Sequence, residues 1–288
     1  MITYWGIVDG TLYLSGYATE NAKSAYEWDA YKIDHPWISD YTITSVLVEN
    51  ECEIPTYFAF YNLYNCTSMD LSKARNTKSH IMSTMFCLCR ALTSIDLSNF
   101  DTSHVTSMEN MFRGCEALTT LDVSNFNTSK VIDMRGMFGC KALTTLDVSN
   151  FNTSNVTDME NMFGGCSKLT TLDLSNFDTS KVTTMEEMFN FCPALTTIYV
   201  SKKWSTDSVT SSSDMFLNCT SLIGAVPYDS TKTDATMANY STGYLTYKRA
   251  PDEPEIPDFL YFNGIKVNTV VFNDATVKNI FFNGSKIL

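Results

Sequence analysis

MFRGCEALTTLDVSNFNTSKVIDM, residues 111–134, is written again on either side of itself with small edits. The phenylalanine near its start recurs at Phe86, Phe112, Phe138, Phe163, Phe189 and Phe216. A cysteine follows at Cys89, Cys115, Cys140, Cys166, Cys192 and Cys219. The period is 25 to 27 residues, and self-similarity on that scale marks a stacked array. Within this copy Leu118, Leu121 and Val123 read L-x-x-L-x-L with polar residues between them, the alternation of a half-buried strand. The chain then turns at Ser124-Asn125, buries Phe126 and crosses a Thr/Ser/Lys stretch. It returns to the core with Met134, Met137 and Phe138, whose i, i+3, i+4 spacing predicts a short helix with one apolar face. Three copies mark the start of that helix with a capping box: Thr106 with Glu109, Thr157 with Glu160, Thr183 with Glu186. A single coil buries too little apolar surface to offset the ordering of its backbone, whereas stacked coils cover each other's faces.

The predicted fold is therefore an α/β solenoid with one parallel strand and one short helix per coil, a β-rich N-terminal cap and a small all-β C-terminal appendage. The string LTTLDLSNFDTSKVTTMEEMF, residues 169–189, closely resembles the bacterial leucine-rich repeat of BspA-like surface proteins. It is nearest the subgroup first described from mycoplasma lipoproteins. The match runs over roughly residues 58–248. The string W-x-x-x-D-G-T-L-x-x-S-G, beginning at Trp5, also resembles the start of many such arrays. The resemblance implies a leucine-rich repeat solenoid and attachment to host proteins or other cells.

Residues 1–42 read as an N-terminal β cap, with Asp9-Gly10 as a type I′ hairpin signal between two β runs. Residues 43–249 form the solenoid, in which Ile43, Val46 and Val48 already fit the strand template. Cys66, Met69 and Leu71 supply the next strand, with about three residues missing before it. The last recognisable strand is expected at residues 222–227, where Pro227 suits an edge. The segment 238–248 resembles the terminal strand that closes such arrays. Residues 250–257 are a Pro/Glu linker of extended type. Residues 258–288 carry a ten-residue repeat of β run, Asn-Gly or Asn-Asp turn and second β run, ending at Val267, Val277 and Ile287. So short a unit makes little core of its own, so it is expected to oligomerise or dock through Phe262, Phe272 and Phe282. The repeat resembles short C-terminal repeats on tail-associated proteins of phages that infect gut Firmicutes.

A net charge of −12 argues against a nucleic-acid partner, which needs a basic footprint. No apolar run is long enough to span a membrane. The N-terminus shows no signal peptide and no lipobox cysteine, and the C-terminus shows no sortase-type tail. The expected location is thus a virion or a cell surface reached without a signal in this chain. Nine cysteines fall mostly at one repeat position, with Cys66 as its degenerate equivalent. A column of buried core thiols fits best, and disulfides between adjacent coils or a metal are the alternatives. Cys87-Leu-Cys89 has no second pair at ligand spacing and is no zinc motif. The paired methionines (Met82/Met85, Met108/Met111, Met134/Met137, Met159/Met162, Met185/Met188) read as adaptable helix core.

The candidate binding surface is the outward side of the strands. Asp96, Asp122, Asp147 and Asp173 alternate with inward residues, so they stack as a carboxylate column with like charges in opposition. Hydroxyls flank it, including Thr120 and Thr145 on one side and Ser124 and Ser149 on the other. The column is either a solvated polar face or a trap for a cation, calcium included, or a cationic ligand. It ends at Tyr199, where a break in the ladder marks a place for a specific contact. Only three histidines occur, and there is no H-E-x-x-H, G-x-S-x-G, P-loop or dinucleotide fingerprint. No enzymatic activity and no cofactor are expected. The reading is a recognition or adhesion protein on a phage virion or bacterial surface, with a host or bacterial surface protein or glycan as partner. The tail repeat is expected to dock on a virion or tail protein, or to make a homo-oligomer. The alternative is a structural decoration or spacer without a specific ligand.

Overall fold

The computed structural model describes residues 2–22, 24–27, 35–77 and 79–253, together with four short strands beyond them. The chain divides into two compact units, Met1–Pro251 and Asp252–Leu288. In the first, β1 (Ile2–Val8) and β2 (Thr11–Ser15) form an antiparallel hairpin. Its corner, Asp9 and Gly10, has φ of 47° and 78°, the two left-handed residues that a type I′ turn requires. β3 (Ser24–Glu27) pairs with the free edge of β1. From β2 onward the pairing is parallel, through β4 (Ser45–Val48), β6 (Ser68–Asp70) and β8 (Ser94–Asp96), giving the order β3-β1-β2-β4-β6-β8. The hairpin thus covers the first coil and hands its second strand to the solenoid ladder. A small parallel pair, β5 (Cys52–Glu53) with β7 (Ala74–Arg75), runs beside it.

A second parallel sheet, order β11-β10-β9, is built from β9 (Thr171–Leu174), β10 (Thr197–Val200) and β11 (Thr246–Tyr247). Between β8 and β9 the equivalent segments 120–123 and 145–148 do not form ladder strands, so one uninterrupted strand sheet is not what stacks the coils. The continuous ladder runs on the other side of the coil, as successive parallel bridges Ile81–Ser107–Asp133–Asp158–Thr184–Ser211.

That ladder replaces the expected helix. The N–H groups of Met108, Asn110, Phe112 and Gly114 donate to the carbonyls of Asp133, Arg135, Met137 and Gly139 in the next coil, at 2.6 to 3.0 Å. An α-helix would send those protons four residues back. Instead every second N–H leaves the coil, and the chain alternates handedness to aim it: φ is 53° at Asn110 and 76° at Gly114. Left-handed residues recur at Thr84, Gly136, Asn161, Glu187 and Asp214. Among the described residues the only helix is a single 3-10 turn, Ala235–Met237. The capping boxes fail for the same reason. The Thr106, Thr157 and Thr183 hydroxyls donate to the carbonyls of His80, Ile132 and Thr157 in the preceding coil, at 3.1 to 3.2 Å.

The core is nonetheless the one the repeat predicts. Phe60, Phe86, Phe112, Phe138, Phe163, Phe189 and Phe216 are fully buried and stack nearly parallel, with ring centroids 5.3 to 6.3 Å apart. Tyr244 closes the column edge-on to Phe216 at 5.4 Å. Two polar columns join the coils. Asn125, Asn150 and Asn176 each reach back with Nδ2 to carbonyls of the coil before; Asn150 meets Val123 O at 3.0 Å and Phe126 O at 2.8 Å. Buried Thr102, Thr128, Thr153 and Thr179 each donate to a carbonyl of the next coil and accept the N–H of the same residue.

All nine cysteines are free and buried. From Cys89 to Cys219 each thiol of the column donates to a phenylalanine carbonyl of the preceding coil, at 2.8 to 3.3 Å. Cys66 is not in that column. Met69 pairs with Ile95 in register, which places Cys66 at the first leucine position, level with Leu92, and Leu63 at the cysteine position. No residues are missing before its strand. Burial pushes the Cys52, Cys66 and Cys219 thiols up to about 12 and Cys87 to about 11. Reaction needs the thiolate, so the native protein is expected to resist a disulfide reagent at pH 8, with Cys52 and Cys87 labelling first and all nine labelling at once in denaturant. Rapid native labelling of the Phe-linked column would contradict this packing.

Two further expectations meet the described residues. Pro227 is no ladder edge: it forms an antiparallel bridge with Ile223, and the parallel ladder ends at β11. In the second unit β12 (Leu260–Phe262) pairs antiparallel with β13 (Ile265–Val267), and β14 (Phe281–Phe282) with β15 (Ser285–Lys286). Phe262 and Phe282 lie on these strands; the middle unit, with Phe272, falls outside the described residues.

Candidate functional site

Strand register fixes both ends of the outward column. Tyr13 lies opposite Leu47, Leu47 opposite Asp70, and Asp70 opposite Asp96. At the far end Asp173 lies opposite Tyr199, and Tyr199 opposite Thr246. The carboxylate column is therefore longer than the sequence reading had it, with Asp70 as a fifth member; Tyr13 and Leu47 precede it and Tyr199 follows it. The signal for Asp70 was present, since Cys66-Thr-Ser-Met69-Asp70-Leu71 already matches the strand template. Over β2, β4, β6 and β8 this surface forms an open trough of about 500 Å³, lined by Tyr13, Leu47, Ile95, Asp70 and Asp96 with a hydroxyl edge that includes Ser45, Ser68 and Ser94.

Each aspartate has a local task. The Oδ1 atoms of Asp70, Asp96, Asp122, Asp147 and Asp173 accept the backbone N–H of the serine two residues on, at 2.9 to 3.1 Å. Such Asx turns end the strand and swing the chain towards the core. The serine hydroxyl and then its N–H hold the carboxyls of Asp96, Asp122 and Asp147 below the ordinary carboxylate value. Ser124 and Ser149 thus bond the aspartate two residues before them, whereas Thr120 and Thr145 stand exposed and make no side-chain hydrogen bond among the described residues. Asp96, Asp122 and Asp147 are exposed. Among the described residues no three His, Cys, Asp or Glu come together as a metal-holding group.

At the C-terminal end the column is closed. Partial burial works to raise the Asp173 carboxyl, and bonds from the Lys248 ammonium and from Ser175 outweigh it. Lys248 Nζ bonds Asp173 Oδ2 and lies 5.6 Å from the Tyr199 ring centroid. The break at Tyr199 is thus filled from within the chain by a cation on an aromatic face, leaving Tyr13, Asp70, Asp96, Asp122 and Asp147 as the open stretch.

Strand, asparagine column, aromatic stack and repeating turn together define a repeat solenoid of the leucine-rich class. The family described as "Mycoplasma protein of unknown function, DUF285" matches residues 56–146 and 139–248. The chain belongs to this BspA-like repeat family. A leucine-rich repeat protein of T. pallidum, known from a crystal structure, aligns with 77% of this chain and 88% of its own, at 14% identity and a TM-score of 0.39. No curated protein matches. Among the described residues no helix is long and apolar enough to cross a membrane.

Proposed function

We propose that the protein is a non-catalytic recognition module that binds a cationic protein surface through its strand face, and that it is displayed on a virion or bacterial surface as an attachment protein. One observation carries this: a run of exposed carboxylates at equivalent positions of successive coils, open along its side, with Asp70 and Asp96 in strand register and Tyr13 two strands before them. Repeated equivalent positions on a solenoid suit many weak, additive contacts. The family membership and the net charge of −12 agree with a protein-interaction role.

The test uses full-length protein with Asp122→Asn and Asp147→Asn together. Asparagine keeps the Oδ1 acceptor of the Asx turn and deletes the charge. Adsorption to immobilised host matrix proteins and to bacterial cells is expected to fall at least about tenfold, with thermal stability retained. Because the serine contacts lower these carboxyls, wild-type adsorption should survive acidification to about pH 4 and fail only below it. Adsorption indifferent to the two charges would favour a passive decoration instead.

A further inference from the structure

The opposite side of the coil, where the inter-coil ladder runs, carries a groove of about 580 Å³. It runs from Leu88 to Phe191, across the coils of Gly114, Gly139 and Gly165. At 4.8 Å per parallel step, four steps make it roughly 19 Å long. Gly114 and Gly165 occupy left-handed positions, with φ of 76° and 79°. Gly139 has no such need, and a Cβ there would meet Arg113 Cγ at 3.3 Å, the Gly164 carbonyl at 3.4 Å and Arg113 Cα at 3.5 Å. The glycines leave a floor without side chains.

Two residues at the C-terminal end of the groove, Asn190 and Phe191, stand where the coils before have Arg113-Gly114 and Gly164-Gly165. Phe191 takes the left-handed position held by Gly114 and Gly165 and also by Leu88 and Asn218, with φ 56°, and it is 57% exposed where Leu88 is half-buried. A bulky residue in that conformation is strained, and this one gains no burial in return. Its neighbour Asn190 is only 7% exposed, yet its buried Oδ1 has no hydrogen-bond partner. Asn190 lines the groove, and the terminal torsion of an asparagine is soft, so its amide oxygen can turn to a donor bound there. Strain and an unsatisfied amide side by side are what a binding site retains.

From this geometry we infer that the groove is a second binding site, separate from the strand face, and that its ligand is a short linear neutral oligosaccharide. The exposed Phe191 ring offers a flat apolar face for the C–H side of a sugar ring. The Asn190 oxygen accepts a hydroxyl or acetamido proton. The Asn161 amide, bonded to Glu187 Oε2 at 2.8 Å, adds a polar edge. Arg113 and Lys141 balance Glu116 and Glu187 along the walls, so no strongly charged ligand is favoured. The floor has no deep apolar pocket of the kind that anchors a peptide side chain.

Full-length protein is titrated with linear neutral hexose and N-acetylhexosamine oligomers of increasing length. Affinity should rise with length until the groove is filled. Asn190→Ala and Phe191→Gly should each weaken binding about tenfold or more while leaving Tm unchanged or raised, because one deletes an unsatisfied amide and the other relieves strain. The Asp122→Asn, Asp147→Asn protein should bind the same oligomers as wild type, which separates this site from the strand face. Several results would overturn the assignment: no oligomer binding, wild-type binding by both variants, or binding lost only in step with a lowered Tm. Capture of a random peptide library through Phe191 in place of sugars would overturn it too.

Discussion

Phe138→Ala is expected to remove about 3–5 kcal/mol of stability, the range for deleting a buried aromatic side chain. Phe138 is fully buried and sits between Phe112 at 6.3 Å and Phe163 at 5.7 Å, with Phe151 at 6.1 Å on its flank. Such ring pairs contribute about 0.5–1.5 kcal/mol each beyond the area they bury. Neighbouring rings cannot close the gap, because each is held by its own coil's hydrogen bonds to the next. The position is also central. Stability in a solenoid is carried by nearest-neighbour interfaces, so a weak interface in the middle should split the urea transition into two steps. A single cooperative transition shifted by under about 1 kcal/mol would show that the column is not the continuous core described.

Thr128→Val is the second large effect, and it separates hydrogen bonding from packing. The Thr128 hydroxyl donates to Asn152 O at 3.0 Å and accepts the Asn152 N–H at 2.8 Å, and the residue is buried. Valine matches its shape and supplies neither function. The N–H and C=O of Asn152, an exposed residue, lose a buried partner in half-buried bonds, at about 1 kcal/mol each. Thr128→Ser keeps the hydroxyl and loses one methyl group, worth about 0.8 kcal/mol. The expected order of stability is wild type, then serine, then valine, by chemical denaturation. Hydrogen exchange at the Asn152 amide should be protected in the serine protein and fast in the valine one. Equal losses in the two variants would assign the threonine column to packing alone.

Much of the strand face was legible from residues 92–97 and their copies. The alternation of Leu, polar and Leu puts Asp96, Asp122 and Asp147 outward whatever the coil does elsewhere, and they are exposed as expected. Their Asx turns were not foreseen, although an aspartate two residues before a serine at a strand end is the usual sequence for one. Asn125 was read only as a turn residue, and its equivalents Asn150 and Asn176 were not singled out. Their recurrence at one position was a signal, since a plain turn would accept serine, aspartate or glycine there equally. The groove could not be read at all, because Asn190 and Phe191 look like ordinary variation in an end coil until their burial, exposure and φ are known.

The sequence by itself determined the period, the cap hairpin at Asp9-Gly10 and nearly all of the core. Each of these depends on side-chain identity over a few residues, repeated until chance is excluded. Tertiary structure decided what the backbone does between core residues. Met134, Met137 and Phe138 point inward from an α-helix and from a chain of alternating left- and right-handed turns alike, so the spacing could not tell them apart. The choice is made by where the N–H groups of residues 108–114 find their acceptors, and those lie one coil away, some 25 residues along the chain. Asn110, Gly136, Asn161 and Asp214, all tolerant of positive φ, share their repeat position with Phe58, Thr84 and Glu187, which are not, so the trace of that choice in the sequence was faint. The register of Cys66 was settled the same way: its partner strand, not its own residue type, placed it among the leucines.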